Sequence, residues 1–176
     1  MISNNSESIH LRPVEESDTT LIQKWRNTKN IQPYVREYRE LSKRHIKSWL
    51  ENITSSDKFE FFIVEDEIRT PIGVTGLTYI DWVSKNADIH LAIYAKDWID
   101  DKYALETLKV MLEYGFKHLN LHRIYAEVYE IDNKKIDFFT FNGFTFDGVL
   151  RDHHYYDGKY INSHIYSILK HEYERR

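Results

Sequence analysis

Ala87-Asp88-Ile89-His90-Leu91-Ala92-Ile93-Tyr94-Ala95 sets the apolar residues Ile89, Leu91 and Ile93 in alternation with Asp88, His90, Ala92 and Tyr94. A period of two sends one set to each face of a strand. In the stretch from Lys102 to Leu119 the apolar residues Leu105, Leu108, Leu112, Phe116 and Leu119 recur every three or four positions, which is a helical period. From Ile124 to Tyr129 the chain is β-rich again. Strand, helix and strand in that order form a crossover unit, which places parallel neighbours in the sheet.

The flanks extend this unit. Ile9 to Val14 reads as a strand. Ser17 is expected to cap a helix running through Leu21, Ile22 and Trp25 to near Asn30, after which Pro33 breaks the chain. Ser42 caps a second helix with Ile46, Trp49, Leu50 and Ile53 on one face. Phe59 to Val64 and Ile72 to Val83 form a hairpin that turns around Arg69-Thr70-Pro71. Further on, Lys134 to Phe141 reads as a helix, and Phe144 to Tyr156 pairs with Tyr160 to Leu169 through Asp157-Gly158. The order β-α-α-β-β-β-α-β-α-β-β is that of an α/β domain (α+β, mixed sheet). Its expected centre is a twisted mixed sheet of about seven strands with helices on both faces.

The 176 residues hold no repeat or linker and fit a single domain, 1–176. Cysteine is absent, which excludes a disulfide framework, a thiolate metal site and a cysteine nucleophile; no metal centre is expected. Met1 to Glu7 lacks the basic and apolar regions of a signal peptide, and no apolar run approaches the ~18–20 residues of a membrane span. A soluble, cytoplasmic protein without a membrane partner is expected. A formal charge of −4 argues against a nucleic-acid partner and is compatible with a cationic amine substrate. The basic run Lys43-Arg44-His45 reads as a solvated helix face.

Four stretches carry a family resemblance: Lys24-Trp25-Arg26-Asn27; Ala87-Asp88-Ile89-His90-Leu91; Tyr114-Gly115-Phe116 through Leu119-Asn120-Leu121-His122-Arg123-Ile124; and Asn142-Gly143-Phe144 with Gly148-Val149-Leu150-Arg151 and Asp157-Gly158-Lys159-Tyr160. In order and spacing they resemble the GNAT superfamily of acyl-CoA-dependent N-acetyltransferases. The likeness is to the branch that holds the ribosomal-protein alanine, spermidine and amino-sugar-nucleotide enzymes. It implies the GNAT fold and acetyl-CoA as donor. In that family the donor's pantetheine arm lies between two splayed parallel strands, here near Ala92, Ile93 and Tyr94. The pyrophosphate sits on a loop and helix start, here Ile99, Asp100, Asp101, Lys102, Tyr103 and Ala104. Helix starts offer unpaired N–H donors and a positive dipole end.

The resemblance also implies roles on the acceptor side. Asp88 matches a family glutamate that orients the amine or relays its proton, and His90 shares its strand face as a second candidate base. Trp25 and Arg26 fall where the family builds its acceptor site. Arg26 would suit a phosphate or carboxylate on the acceptor. Glu127 stands on the strand lining the cleft, and Asp132 or Asn133 stands where an asparagine helps to hold the cofactor, although either could equally cap its helix.

Two departures qualify this picture. Of the family's glycine-bearing loop only Ala104 is retained, and no glycine lies between Gly76 and Gly115. A carboxylate ~6 Å from a pyrophosphate charge, at an effective dielectric of ~20, costs about 3 kcal/mol unless Lys102 offsets it. Asp100-Asp101 could instead simply favour a helix start. Where many members carry a tyrosine that protonates the departing thiolate, this chain has Phe139, which has no proton to give. The carboxylate of the spermidine branch is displaced as well: Tyr79 and Ile80 stand there, with Asp81 nearby. The expected function is acetyl transfer to a primary amine of a small molecule or peptide. The alternative is a non-catalytic binding or scaffold module with a degenerate phosphate loop. A homodimer is an admissible assembly.

Overall fold

The structure, a computed structural model, describes residues 8–29, 34, 39–94 and 102–175. Its elements are β1 (His10–Pro13), α1 (Thr19–Arg26), α2 (Lys43–Thr54), β2 (Glu60–Glu65), β3 (Pro71–Asp81), β4 (Asn86–Ile93), α3 (Lys102–Glu113), β5 (Arg123–Tyr129), α4 (Asn133–Phe141), β6 (Thr145–Tyr156), β7 (Lys159–Leu169) and α5 (Lys170–Tyr173). This is the expected order with a short terminal helix added. The strands form one sheet in the order β1-β2-β3-β4-β5-β7-β6. Every pairing is antiparallel except β4 with β5, the pair joined by the α3 crossover.

Each face of the sheet has its own core. Ile89, Leu91 and Ile93 of β4 join Leu108, Met111 and Leu112 of α3 and Phe138 and Phe139 of α4 on one side. Ile22 and Trp25 of α1, Ile46, Leu50 and Ile53 of α2, and Ile63 and Val74 of the sheet form the other. Burying each such side chain contributes about 1.5–3 kcal/mol. The face of α3 turned inward is wider than its leucine stripe: Tyr103, Ala104 and Thr107 are buried, while Leu105 is only half-buried. After Glu113 the helix loosens into a π-turn, Tyr114–His118. A Cβ on Gly115 there would lie 2.6 Å from Ile124 Cδ1, so the Ile124 side chain would have to shift to admit a larger residue.

The caps differ from expectation at one end. Ser42 accepts a hydrogen bond from His45 N (3.3 Å) and caps α2 as expected. Ser17 does not cap α1: a 3-10 turn spans Glu16–Asp18 and the helix starts at Thr19. The carboxylate of Asp18 is held by Arg12 through two 2.8 Å bonds, and Arg12 also reaches Glu65 at 2.8 Å. That long-range ion cluster ties the α1 entry to β1 and β2. At the β6–β7 turn Asp157 and Gly158 both take positive φ, 48° and 79°, as a tight hairpin requires. Among the described residues no helix is long and apolar enough to cross a membrane.

Candidate active site

β4 and β5 pair only at Asn86↔Arg123, Ala87↔Ile124 and Asp88↔Tyr125, after which the two strands part. The opening belongs to a cavity of about 550 Å3. Asp88, His90, Ala92 and Tyr94, the face of β4 turned toward α1 and α2, line it. Glu127 and Tyr129 line it from β5, and Asp132, Lys135 and Phe139 from the start and inner face of α4. On the opposite layer the cavity meets Arg26 of α1, His45 and Trp49 of α2, and Arg39. It therefore reaches helices of both layers through the opened sheet.

Charge in this space is tightly arranged. His90 packs edge-on against Phe61 at 5.5 Å between centroids. Burial, together with the nearby cations Lys135 and Arg26, pulls its pKa down to about 3, so the imidazole is neutral at physiological pH. A group that resists protonation this strongly is a weak base, which argues against the ordinary role expected for His90. Burial also pulls the Lys135 ammonium below the usual lysine range, while Asp132 and Asp88 oppose that shift. The Tyr94 hydroxyl is pushed up by burial against the hydrogen bond and charge of Arg26, and its ring stacks on Trp25 at 5.2 Å. Glu127 Oε1 lies 2.9 Å from His153 Nδ1, which is also 3.2 Å from Ser163 Oγ. Tyr129 stacks on His154 at 4.0 Å, with the two planes 2° apart.

Asp88, His90, Ala92, Ile93, Tyr94, Asp132, Phe139, Arg26 and Glu127 converge on the cavity as the sequence implied. Others do not. Trp25 is buried behind Tyr94 and belongs to the α1–α2 core, because its ring is worth more as packing than at the cavity wall. Asn133 is exposed, whereas Asp132 caps α4 by accepting from Lys135 N at 3.1 Å. Lys102 donates to Glu67 and Tyr103 Oη donates to the other oxygen of that carboxylate at 2.8 Å. The Lys102 bond above all, then a backbone hydrogen bond and the Tyr103 bond, hold the Glu67 pKa down, to about 2. Ala104 is fully buried. The helix start thus has its backbone, rather than these three side chains, to offer a phosphate. Ile99, Asp100 and Asp101 lie outside the described residues. Asp81, which accepts from Val83 N and Ser84 N at 2.9 Å, caps a turn and takes no place on the cavity wall.

His153 and His154 break the expectation that neighbours on a strand face opposite ways. The β6–β7 register shifts between Leu150 and His154, with Asp152 at φ 51°, and this bulge turns both imidazoles toward Glu127 and Tyr129. Sequence reasoning also missed Lys135. Its one visible signal was a position four residues before Phe139, which is the same helix face.

Residues 8–145 match a family model described as an acetyltransferase (GNAT) domain. The uncharacterized N-acetyltransferase p20 of Bacillus licheniformis is 29% identical over 96% of each chain. The spermidine N(1)-acetyltransferase of Vibrio cholerae is 27% identical over 97% of this chain and 98% of its own. A crystal structure of the spermidine N-acetyltransferase from Vibrio cholerae, in complex with CoA and spermine, superposes with a TM-score of 0.88 at 24% identity, covering 96% of this chain and 99% of the other.

Proposed function

This chain belongs to the GNAT acetyltransferase family, and from that premise we propose that it moves an acetyl group from acetyl-CoA to the primary amine of a small acceptor in the opening between β4 and β5. The parting of those strands after Asp88, with polar side chains turned into the gap, is the observation that carries the reading. Pantetheine is a thin, largely apolar arm with amides, and a parted strand pair presents backbone donors and acceptors along such an arm. Asp88 orients the acceptor nitrogen and takes its proton, directly or through a water. The amine, once neutral, attacks the thioester carbonyl carbon. His90 remains a neutral imidazole and contributes by position. Family membership favours this enzyme over a non-catalytic scaffold.

The acceptors named for the relatives put polyamines first in any screen. The carboxylates of Asp88, Glu127 and Asp132 in the cavity suit an ammonium-bearing chain. A second reading, an amine that also carries a carboxylate or phosphate, is favoured by Arg26 and Arg39 on the helix wall. Association between copies is part of the proposal too, since the edge strand β6 exposes Phe146, Val149, Leu150 and Tyr155.

The test is thiol release from acetyl-CoA with spermidine, spermine, amino-sugar phosphates and amino acids as acceptors, the product mass gaining one acetyl group. Acetyl-CoA turnover that depends on one of these amines supports the reading; a purified, folded chain that acetylates none of them overturns it.

A further inference from the structure

We propose that Lys135 is the proton donor to the departing CoA thiolate, supplying from the first turn of α4 the acid that Phe139 cannot. The inference rests on acetyl transfer taking place at the β4–β5 opening. When the amine attacks the thioester, the C–S bond breaks and its electron pair goes to sulfur. That thiolate needs a proton, and the groups able to give one are few. Phe139 has none. The Tyr94 hydroxyl is bonded by Arg26 and pushed up by burial. His90 carries no proton to spare at neutral pH.

Lys135 and Phe139 are four residues apart on α4, so they share a helix face about one turn apart, and both line the cavity. Lys135 lies close enough to His90 and Asp88 to interact with both electrostatically, so its charge shares the cavity with the β4 wall where transfer takes place. Burial lowers the Lys135 pKa toward that of a thiol, about 8.5, which is the direction that makes an ammonium a better acid for a thiolate.

The protons balance. An acceptor that arrives as an ammonium first releases one proton through Asp88 and water to solvent; on attack the neutral amine's nitrogen gives a second to Asp88, sulfur gains one from Lys135, and the protonated Asp88 returns its proton to the neutral Lys135 amine. Products are the N-acetylated amine and CoA thiol, with both side chains restored. The charged and titratable groups that interact with Lys135 are Asp132 at its own helix start and Asp88 and His90 on β4; Glu127 and Tyr129 on β5, Tyr94 on β4, Arg26, His45, Arg39, Tyr34 and Tyr79 line the same cavity.

The experiment compares wild type with Lys135→Met, Lys135→Arg and the Lys135→Met, Phe139→Tyr double variant, reading kcat by thiol release and CoA affinity by calorimetry. The expected loss for Lys135→Met is about 10²- to 10⁴-fold in kcat, the usual worth of a general acid, with CoA affinity changed only a few-fold. Lys135→Arg keeps the charge but cannot release a proton, and it should stay slow. Phe139→Tyr should restore at least about tenfold in the Lys135→Met background, which a merely structural lysine would not permit. Wild-type kcat should fall on a basic limb placed below the ordinary lysine range, and that limb should vanish in Lys135→Met. Lys135→Met turning over like wild type, or Lys135→Arg matching wild type, overturns the assignment while leaving the enzyme reading intact. A wild type that acetylates no amine overturns both.

Discussion

On the helix wall of α1 and α2 the cavity meets Arg26, His45 and Trp49, with Arg39 beside them, whereas on the α4 wall it meets Asp132, Lys135 and Phe139. In the proposed reaction the first wall is the recognition surface: cations and an aromatic ring that can grip or repel an acceptor according to its charge. The second faces Asp88 and His90 across the parted strands and holds groups that can carry protons. One cavity thus separates choice of acceptor from chemistry, and changes on the two walls should alter different kinetic constants.

The largest break in that contrast should come from Asp88→Asn. Loss of the proton acceptor is expected to lower kcat/KM by about 100-fold with any accepted amine, while CoA affinity in calorimetry stays near that of wild type. An unchanged rate would move the base to Glu127. A smaller effect is expected from Arg26→Met. It should raise KM for an anionic amine about tenfold, leave kcat nearly unchanged, and not weaken a polyamine; equal changes for both acceptor types would mean that the helix wall does not discriminate.

His90→Gln should disturb turnover least, by no more than about threefold and without a limb near pH 6.5. Its signature is in stability. Folded His90 has a pKa below its unfolded value, so its neutral form stabilises the fold fully above about pH 6.5, and that stability is lost as pH falls toward 3. Between pH 7 and pH 5 wild type should lose about 2 kcal/mol that His90→Gln does not, as read by urea unfolding at both pH values. Equal losses in the two proteins would place His90 in contact with water.

Most of the architecture was legible because it rests on local periodicity. The alternation of Ala87 to Ala95, the helical spacing from Lys102 and the Asp157-Gly158 turn each specify an element without help from elsewhere. The misreadings arise where distant groups decide. Asp18 is drawn to Arg12, which Glu65 also holds, and this displaces Ser17 from the cap. Lys102 and Tyr103 are claimed by Glu67, 35 and 36 residues away. His90 sits on the polar side of an alternating strand beside Asp88 and so reads as a candidate base, yet α1 and α2 cover that side of the sheet. The bulge at Asp152 has no glycine or proline to announce it. Little in the local sequence sets Lys135 apart, since the parted sheet that opens a path for its charge to β4 is a tertiary feature.

The central claim is that acetyl-CoA occupies the gap between β4 and β5. Ala92 faces that gap, and a bulky residue there would fill it. Calorimetry of acetyl-CoA against wild type and Ala92→Phe, with thermal melts confirming that both are folded, tests the claim most directly. The account predicts saturable one-to-one binding by wild type and a loss of about 100-fold or more in Ala92→Phe. Binding of equal strength by the two proteins, or none by a folded wild type, would contradict it.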